Sequence, residues 1–354
     1  MRGEQFQMVR QILQYFKPSR RGRQVEMFHE LLSGSKRVLT DEFAVDFGGI
    51  ADDIVEMLSS SQVQTMIQEA RETMEAGSLR KVDFGKFDTA TELEKGEVAA
   101  IDGTFALPMQ KYSTGQAICV GIGSLSHCRP MQDSLHYWSS KVFLSDATDV
   151  SDFIEREKRG LFGIYPTAYL RYYEVSHCLE VKEPYLFLDG PLVDESLIAT
   201  QDGRERYTEL FKSEKYQAIG VIKNIGNPVF TKFARALNPG EIYVVETLQD
   251  HLNQDSPARR FKIARDILRG VFKPRKKAFG FEVHRKHLDD MLRIMAADCQ
   301  MKKPGHEIPF LLNRIDEEVR KNFDPRILKD RIAAQMAAES EELFFEETDE
   351  RDFR

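Results

Sequence analysis

Tyr185-Leu186-Phe187-Leu188-Asp189-Gly190-Pro191 is the stretch on which the fold turns. An unbroken apolar run closed by turn residues reads as a short strand buried on both faces, since a half-exposed strand would alternate. Outward from it, helices and strands take turns. Pro166 suits the first position of a helix that continues through Tyr169, Tyr173 and Glu174. Downstream, a helix near 204–213 precedes the apolar run Ala218-Ile219-Gly220-Val221-Ile222-Lys223-Asn224, and 241–245 is a further strand. Upstream lie Val98-Ala99-Ala100-Ile101-Asp102-Gly103-Thr104 and a strand over 116–122. Strands alternating with helices predict an α/β fold built on one sheet.

The flanks differ in character. Residues 1–95 read as a mostly helical region. Met8, Ile12, Leu13 and Phe16 recur at helical spacing up to Pro18, followed by a basic turn of Lys17, Arg20, Arg21 and Arg23. A second amphipathic stretch covers 52–76. Residues 257–277 read as a basic helix and its exit, with nine cations against the single acid Asp266. Helices come after Pro309, one of them carrying Leu312, Ile315, Asp316 and Val319. Three parts are expected: a helical region over 1–95, a main domain over 96–335, and an acidic, flexible tail over 336–354.

Composition bounds the function. Among 354 residues, 42% are hydrophobic and 30% charged, enough to bury a core. Lys plus Arg number 50 and Asp plus Glu 57, a formal net charge of −7. That excludes a wholly basic nucleic-acid coat but not a local basic patch. No apolar run is long enough to cross a membrane, and the first residues hold no apolar signal core. Cys119, Cys128, Cys178 and Cys299 are scattered, as reduced thiols of a cytoplasmic protein would be.

Two apolar strands end alike, at Ile101-Asp102-Gly103 and Leu188-Asp189-Gly190. Ligand sites of open α/β sheets gather beyond strand ends. Two carboxylates brought there together would make a hard-oxygen site suited to Mg²⁺ or Mn²⁺. The competing reading is that Asp-Gly only marks a turn. Glu174, on the preceding helix, is a candidate third acid or a solvated helix-surface residue. Lys223 could hold a phosphate or simply reach solvent.

Other signals fall short. The strand 186–189 resembles the acidic strand of a P-loop ATPase, but no phosphate-loop sequence occurs. Gly121-Ile122-Gly123 lacks a third glycine at Ser126. His127-Cys128 and His177-Cys178 lack the spacing of a zinc site. The basic segment, with Arg259, Arg260, Lys262, Arg265 and Arg269, is denser in cations than a mixed solvated face and reads as a phosphate-backbone contact.

Taken in order, these motifs resemble the NurA family of nucleases, which partner the HerA translocase in DNA end processing. The matching stretches are Ile101-Asp102-Gly103-Thr104, Leu170-Arg171-Tyr172-Tyr173-Glu174, 186–192, Gly220-Val221-Ile222-Lys223 and Ile308-Pro309-Phe310-Leu311-Leu312. The resemblance spans roughly 96–335 and rests on order and context. It implies an RNase H-like mixed sheet flanked by helices, carrying a metal-dependent deoxyribonuclease site that uses Mn²⁺ or Mg²⁺ as a pair of ions. Asp102 and Asp189 look like the strand acids and Glu174 like the helix acid. The family's late Tyr-Pro-x-x-Leu-x-x-x-His frame here reads from Ile308 to Asp316, so Asp316 stands where the family has His. An Asp can ligate a hard metal. His284 is an alternative late site residue.

The resemblance further implies an exonuclease or single-strand endonuclease in DNA repair, end resection or phage defence. Asp102, Glu174, Asp189 and Asp316 would hold the metal, and Lys223 would steady the scissile phosphate. The implied partners are DNA, a HerA-type hexameric ATPase and a second copy of the chain, with no membrane. The alternative is a catalytically weak adaptor of the same fold that binds translocase and DNA.

Overall fold

The computed structural model describes residues 59–77, 79–82, 90–112, 115–141, 166–300 and 308–339. The helix expected over Met8 to Phe16, its basic turn and the tail beyond 339 lie outside the described residues. In chain order the elements are α1 (Ser61–Ala76), β1 (Leu79–Lys81), α2 (Ala90–Glu94), β2 (Val98–Tyr112), β3 (Gly115–Ser126), β4 (Arg129–Lys141) and α3 (Pro166–Cys178). Next come β5 (Tyr185–Asp189), α4 (Glu195–Ala199), α5 (Gln201–Lys212), β6 (Gln217–Ile222), α6 (Pro228–Ala236) and β7 (Glu241–Thr247). The remainder is α7 (Leu248–His251), β8 (Ile267–Lys273), β9 (Phe279–His284), α8 (Leu288–Gln300), α9 (Phe310–Asn322) and α10 (Pro325–Glu339). The chain divides into two units after Glu69, and the second, Ala70–Arg354, holds the sheet.

The strands form one mixed sheet in the order β1-β7-β8-β9-β6-β5-β2-β3-β4. Its centre is parallel, β6 with β5 and β5 with β2, and every other pair is antiparallel. This is the mixed sheet flanked by helices expected from sequence. Leu186, Phe187 and Leu188 are completely buried, as strands covered on both sides require. Each such side chain contributes about 1.5–3 kcal/mol of burial free energy.

Side chains alternate between two cores. Val98 and Ala100 of β2, Phe187 of β5, and Ile219 and Val221 of β6 face the core closed by α8 and α9. Ala99 and Ile101, Leu186 and Leu188, and Ala218 face the other, closed by α3 and α5. That alternation decides where each polar residue at the strand ends must point.

Two expectations are corrected. The Asp102-Gly103 pair does not end a strand, because β2 runs on to Tyr112. What ends there is its pairing with β5, whose last partners are Ile101 and Leu188, while β2 continues against β3. The segment 257–277 is not a basic helix. It forms two 3-10 turns, Pro257–Arg260 and Lys262–Arg265, and then β8. Ala258, Phe261, Ala264 and Ile267 are buried at intervals of three, the period of a 3-10 turn, so the apolar spacing overrides the charge pattern.

Candidate metal centre

β5 ends at Asp189 beside the point where β2 carries Asp102 past it. Counting the alternation from Phe187 and from Ala100 puts both carboxylates on the α9 side of the sheet. α9 lays Leu312, Ile315 and Val319 into that core at helical spacing. Asp316, next to Ile315, thereby reaches the strand ends. One carboxylate oxygen from each of Asp102, Asp189 and Asp316 lies within 4.8 Å of the others. Lys223, just beyond β6 on the same face as Val221, places Nζ 2.6 Å from Asp189 Oδ2.

Each acid is held differently. Asp102 is buried, and its Oδ1 accepts the Gly103 N–H at 2.9 Å. Asp316 pairs at 2.9 Å with Arg320, which is mostly in solvent. Asp189 lends its backbone carbonyl to Arg171 Nη2 at 2.7 Å, and Gly190 then turns the chain at φ 81°, where an L side chain would be strained.

Sequence grouped Glu174 with the strand acids, but the structure places it behind them. It sits on α3, the other side of the sheet, buried and 2.8 Å from Arg171 Nη1. A Cβ at Gly103 would come within 3.1 Å of Glu174 Oε1 and 2.6 Å of Ile122 Cδ1, so the carboxylate packs on bare backbone there. Arg171, three residues before Glu174, escaped the sequence reading. Its i,i+3 spacing to an acid was the available signal. His284 ends β9 and pairs in register with Ile267, at the opposite end of the sheet from Asp189.

Crowded acids resist ionising together. Burial, then repulsion from Glu174, Asp189 and Asp316, pushes Asp102 up to about 8. Burial pushes Glu174 up to about 7 against the opposing pull of Arg171. A carboxyl whose folded pKa is raised holds its proton longer than the unfolded chain does. Its contribution to stability is full at low pH and lost as pH rises through the folded value. Asp102→Asn removes that loss. In EDTA, the variant should gain thermal stability over wild type as pH rises from about 5 to about 8, then hold a constant lead. Melting curves at three pH values check this, and a pH-independent difference would contradict it.

The donor set fits a hard divalent cation. Three carboxylate oxygens converge, one ammonium offsets only part of their charge, and one of the acids is driven toward its protonated form without a cation. Among the described residues no other group of three His, Cys, Asp or Glu side chains converges in this way. His127 instead pairs with Asp298 at 2.9 Å, and the Cys128 thiol donates to the Glu94 carbonyl.

Of the cations expected to contact phosphates, Arg260, Lys262 and Arg265 are exposed and Arg259 is half-buried. Arg269 is committed internally, 2.7 Å from Glu246 and 2.8 Å from the buried Glu282.

Fold and site together define an α/β protein with a hard-oxygen acid centre where its central parallel strands end. No family model and no curated protein matches the sequence. The similarity to solved structures is one of fold. The chain is similar to the NurA nuclease from Sulfolobus solfataricus at 12% identity, covering 87% of this chain and 99% of that one, with a TM-score of 0.45. A crystal structure of NurA with manganese matches at 9% identity over 78% of this chain and 97% of that one, TM-score 0.40. Human ENDOV matches at 13% identity over 74% and 99%, TM-score 0.33. No helix among the described residues is long and apolar enough to cross a membrane.

Proposed function

We propose that this chain is a divalent-metal-dependent DNA nuclease that hydrolyses phosphodiester bonds. The observation that carries the reading is the convergence of Asp102, Asp189 and Asp316 on one face of the sheet, with Lys223 against Asp189. Mn²⁺ or Mg²⁺, when bound, supplies Lewis acidity and charge neutralisation at the phosphodiester. Asp102, Asp189 and Asp316 are the residues that would hold it. Lys223 orients the Asp189 carboxylate and keeps a positive charge where a phosphate would arrive. Glu174 supports Asp102 from behind through its packing on Gly103, and Arg171 fixes both Glu174 and the Asp189 carbonyl. On this reading no side-chain nucleophile is needed.

The finer parts of the proposal derive from the family resemblance. They are exonuclease or single-strand endonuclease action in DNA end processing, a HerA-type ATPase as partner, a homodimer, and a pair of metal ions. A degradation assay on labelled single- and double-stranded DNA in Mn²⁺, Mg²⁺ or EDTA tests the core of it. Cleavage in either metal and none in EDTA is the expected result. No cleavage in any condition, with a HerA-type ATPase still bound, would replace the nuclease by an adaptor.

A further inference from the structure

The nine cations of 257–277 do not form one surface, because β8 runs through the middle of the segment. β9 pairs antiparallel with β6, with Gly280 opposite Ile222 and Val283 opposite Ile219. β8 pairs antiparallel with β9, with Ile267 opposite His284 and Phe272 opposite Phe279. The start of β8, into which Arg259, Arg260, Lys262 and Arg265 lead, therefore lies at the end of the sheet remote from Asp189. Its far end opens into the turn Pro274-Arg275-Lys276-Lys277-Ala278 on the same end as Asp189, Asp102 and Lys223.

That turn and the loop 223–227 after β6 neighbour each other across the start of β9, and neither contains an acid. Glu241, opposite Lys273 in register, is buried and pairs with Arg71. Lys276 is exposed at the tip. At about 4.8 Å per strand, β9 and β8 lie roughly 10 and 14 Å from β5. That distance corresponds to about three or four nucleotides along one strand of a duplex.

We infer that the β8–β9 turn, and not Arg259, Arg260 and Arg265, carries the phosphate backbone of a nucleic-acid strand away from the acid cluster over Lys223. Lys276, exposed at the tip of the turn, contacts a phosphate on that flank. The inference rests on the proposed nuclease reading, and it names the surface that reading lacks.

The test is binding of a fluorescent single-stranded oligonucleotide by the full chain in EDTA, across a salt series. Lys276→Ala should weaken binding about five- to tenfold at 0.1 M salt and shrink the slope of log affinity against log salt by about one. The triple variant Arg259→Ala, Arg260→Ala, Arg265→Ala should leave the slope as in wild type. An unchanged slope in Lys276→Ala overturns the inference, and the exposed position of Lys276 keeps that variant informative whatever the fold does in the triple variant. A wild type that binds no oligonucleotide removes the nuclease reading as well. Binding lost only in the 259–265 variant removes the inference alone.

Discussion

Asp189→Ala lowers metal-dependent DNA cleavage by roughly a thousandfold, a loss in the range seen when a main source of charge stabilisation at the reacting phosphate is removed. Three consequences combine. One of the three converging carboxylates is gone, and Lys223 loses the partner 2.6 Å away that fixes its ammonium. The remaining pair, Asp102 and Asp316, offers a metal fewer oxygens and less charge. The folded state is not the casualty. Removing one of several mutually repelling acids relieves the repulsion that raises Asp102, so the metal-free variant should melt no lower than wild type. A gel assay in Mn²⁺ alongside melting curves in EDTA separates the two effects. Equal cleavage by the variant would dismiss the site, and a large fall in melting temperature would show Asp189 to be structural.

Asp298→Ala costs about 3 kcal/mol of folding stability, since it strands buried partners rather than a surface contact. Asp298 has no exposed surface. Its Oδ2 accepts the Leu311 N–H at 3.1 Å, an otherwise unmet donor in the first turn of α9, and its Oδ1 lies 2.9 Å from His127 Nε2. Leu311 is itself buried, so its N–H cannot turn to water. Because α9 carries Asp316, the loss should also weaken metal binding. Asp298→Asn, which retains an acceptor, should lose less than half as much. Urea unfolding measures both. A cost under about 1 kcal/mol for the alanine variant would show that α9 is anchored by its apolar face alone.

Much of the fold was legible because burial dictated it. The run 185–189 and its neighbours at 98–101 and 218–222 are apolar on both faces, and they became the parallel centre of the sheet. Where an element is half-exposed or charged, the signal failed. β8 was hidden because its buried positions are interleaved with Arg269 and Lys273, and β4 because Arg129, Gln132, Asp133 and Ser134 dilute its alternation. The same distinction applies to the acid centre. Asp102 and Asp189 were legible from two alike Asp-Gly pairs, and Asp316 from the family frame. That Glu174 would fall on the opposite face could not be read, since it depends on which side of the sheet α3 packs. Nor could the division of the basic segment, which depends on strand order. Arg269 shows the cost of counting charges without that order: it pairs with Glu246 and the buried Glu282.

A titration of the metal-free protein with Mn²⁺, monitoring free Mn²⁺ by electron paramagnetic resonance, for wild type and for the double variant Asp102→Asn, Asp189→Asn, asks whether these acids hold the ion. Wild type should bind saturably at pH 8 and the double variant should not, with both proteins folded. Undiminished binding by the double variant would place the metal elsewhere and take the proposed chemistry with it.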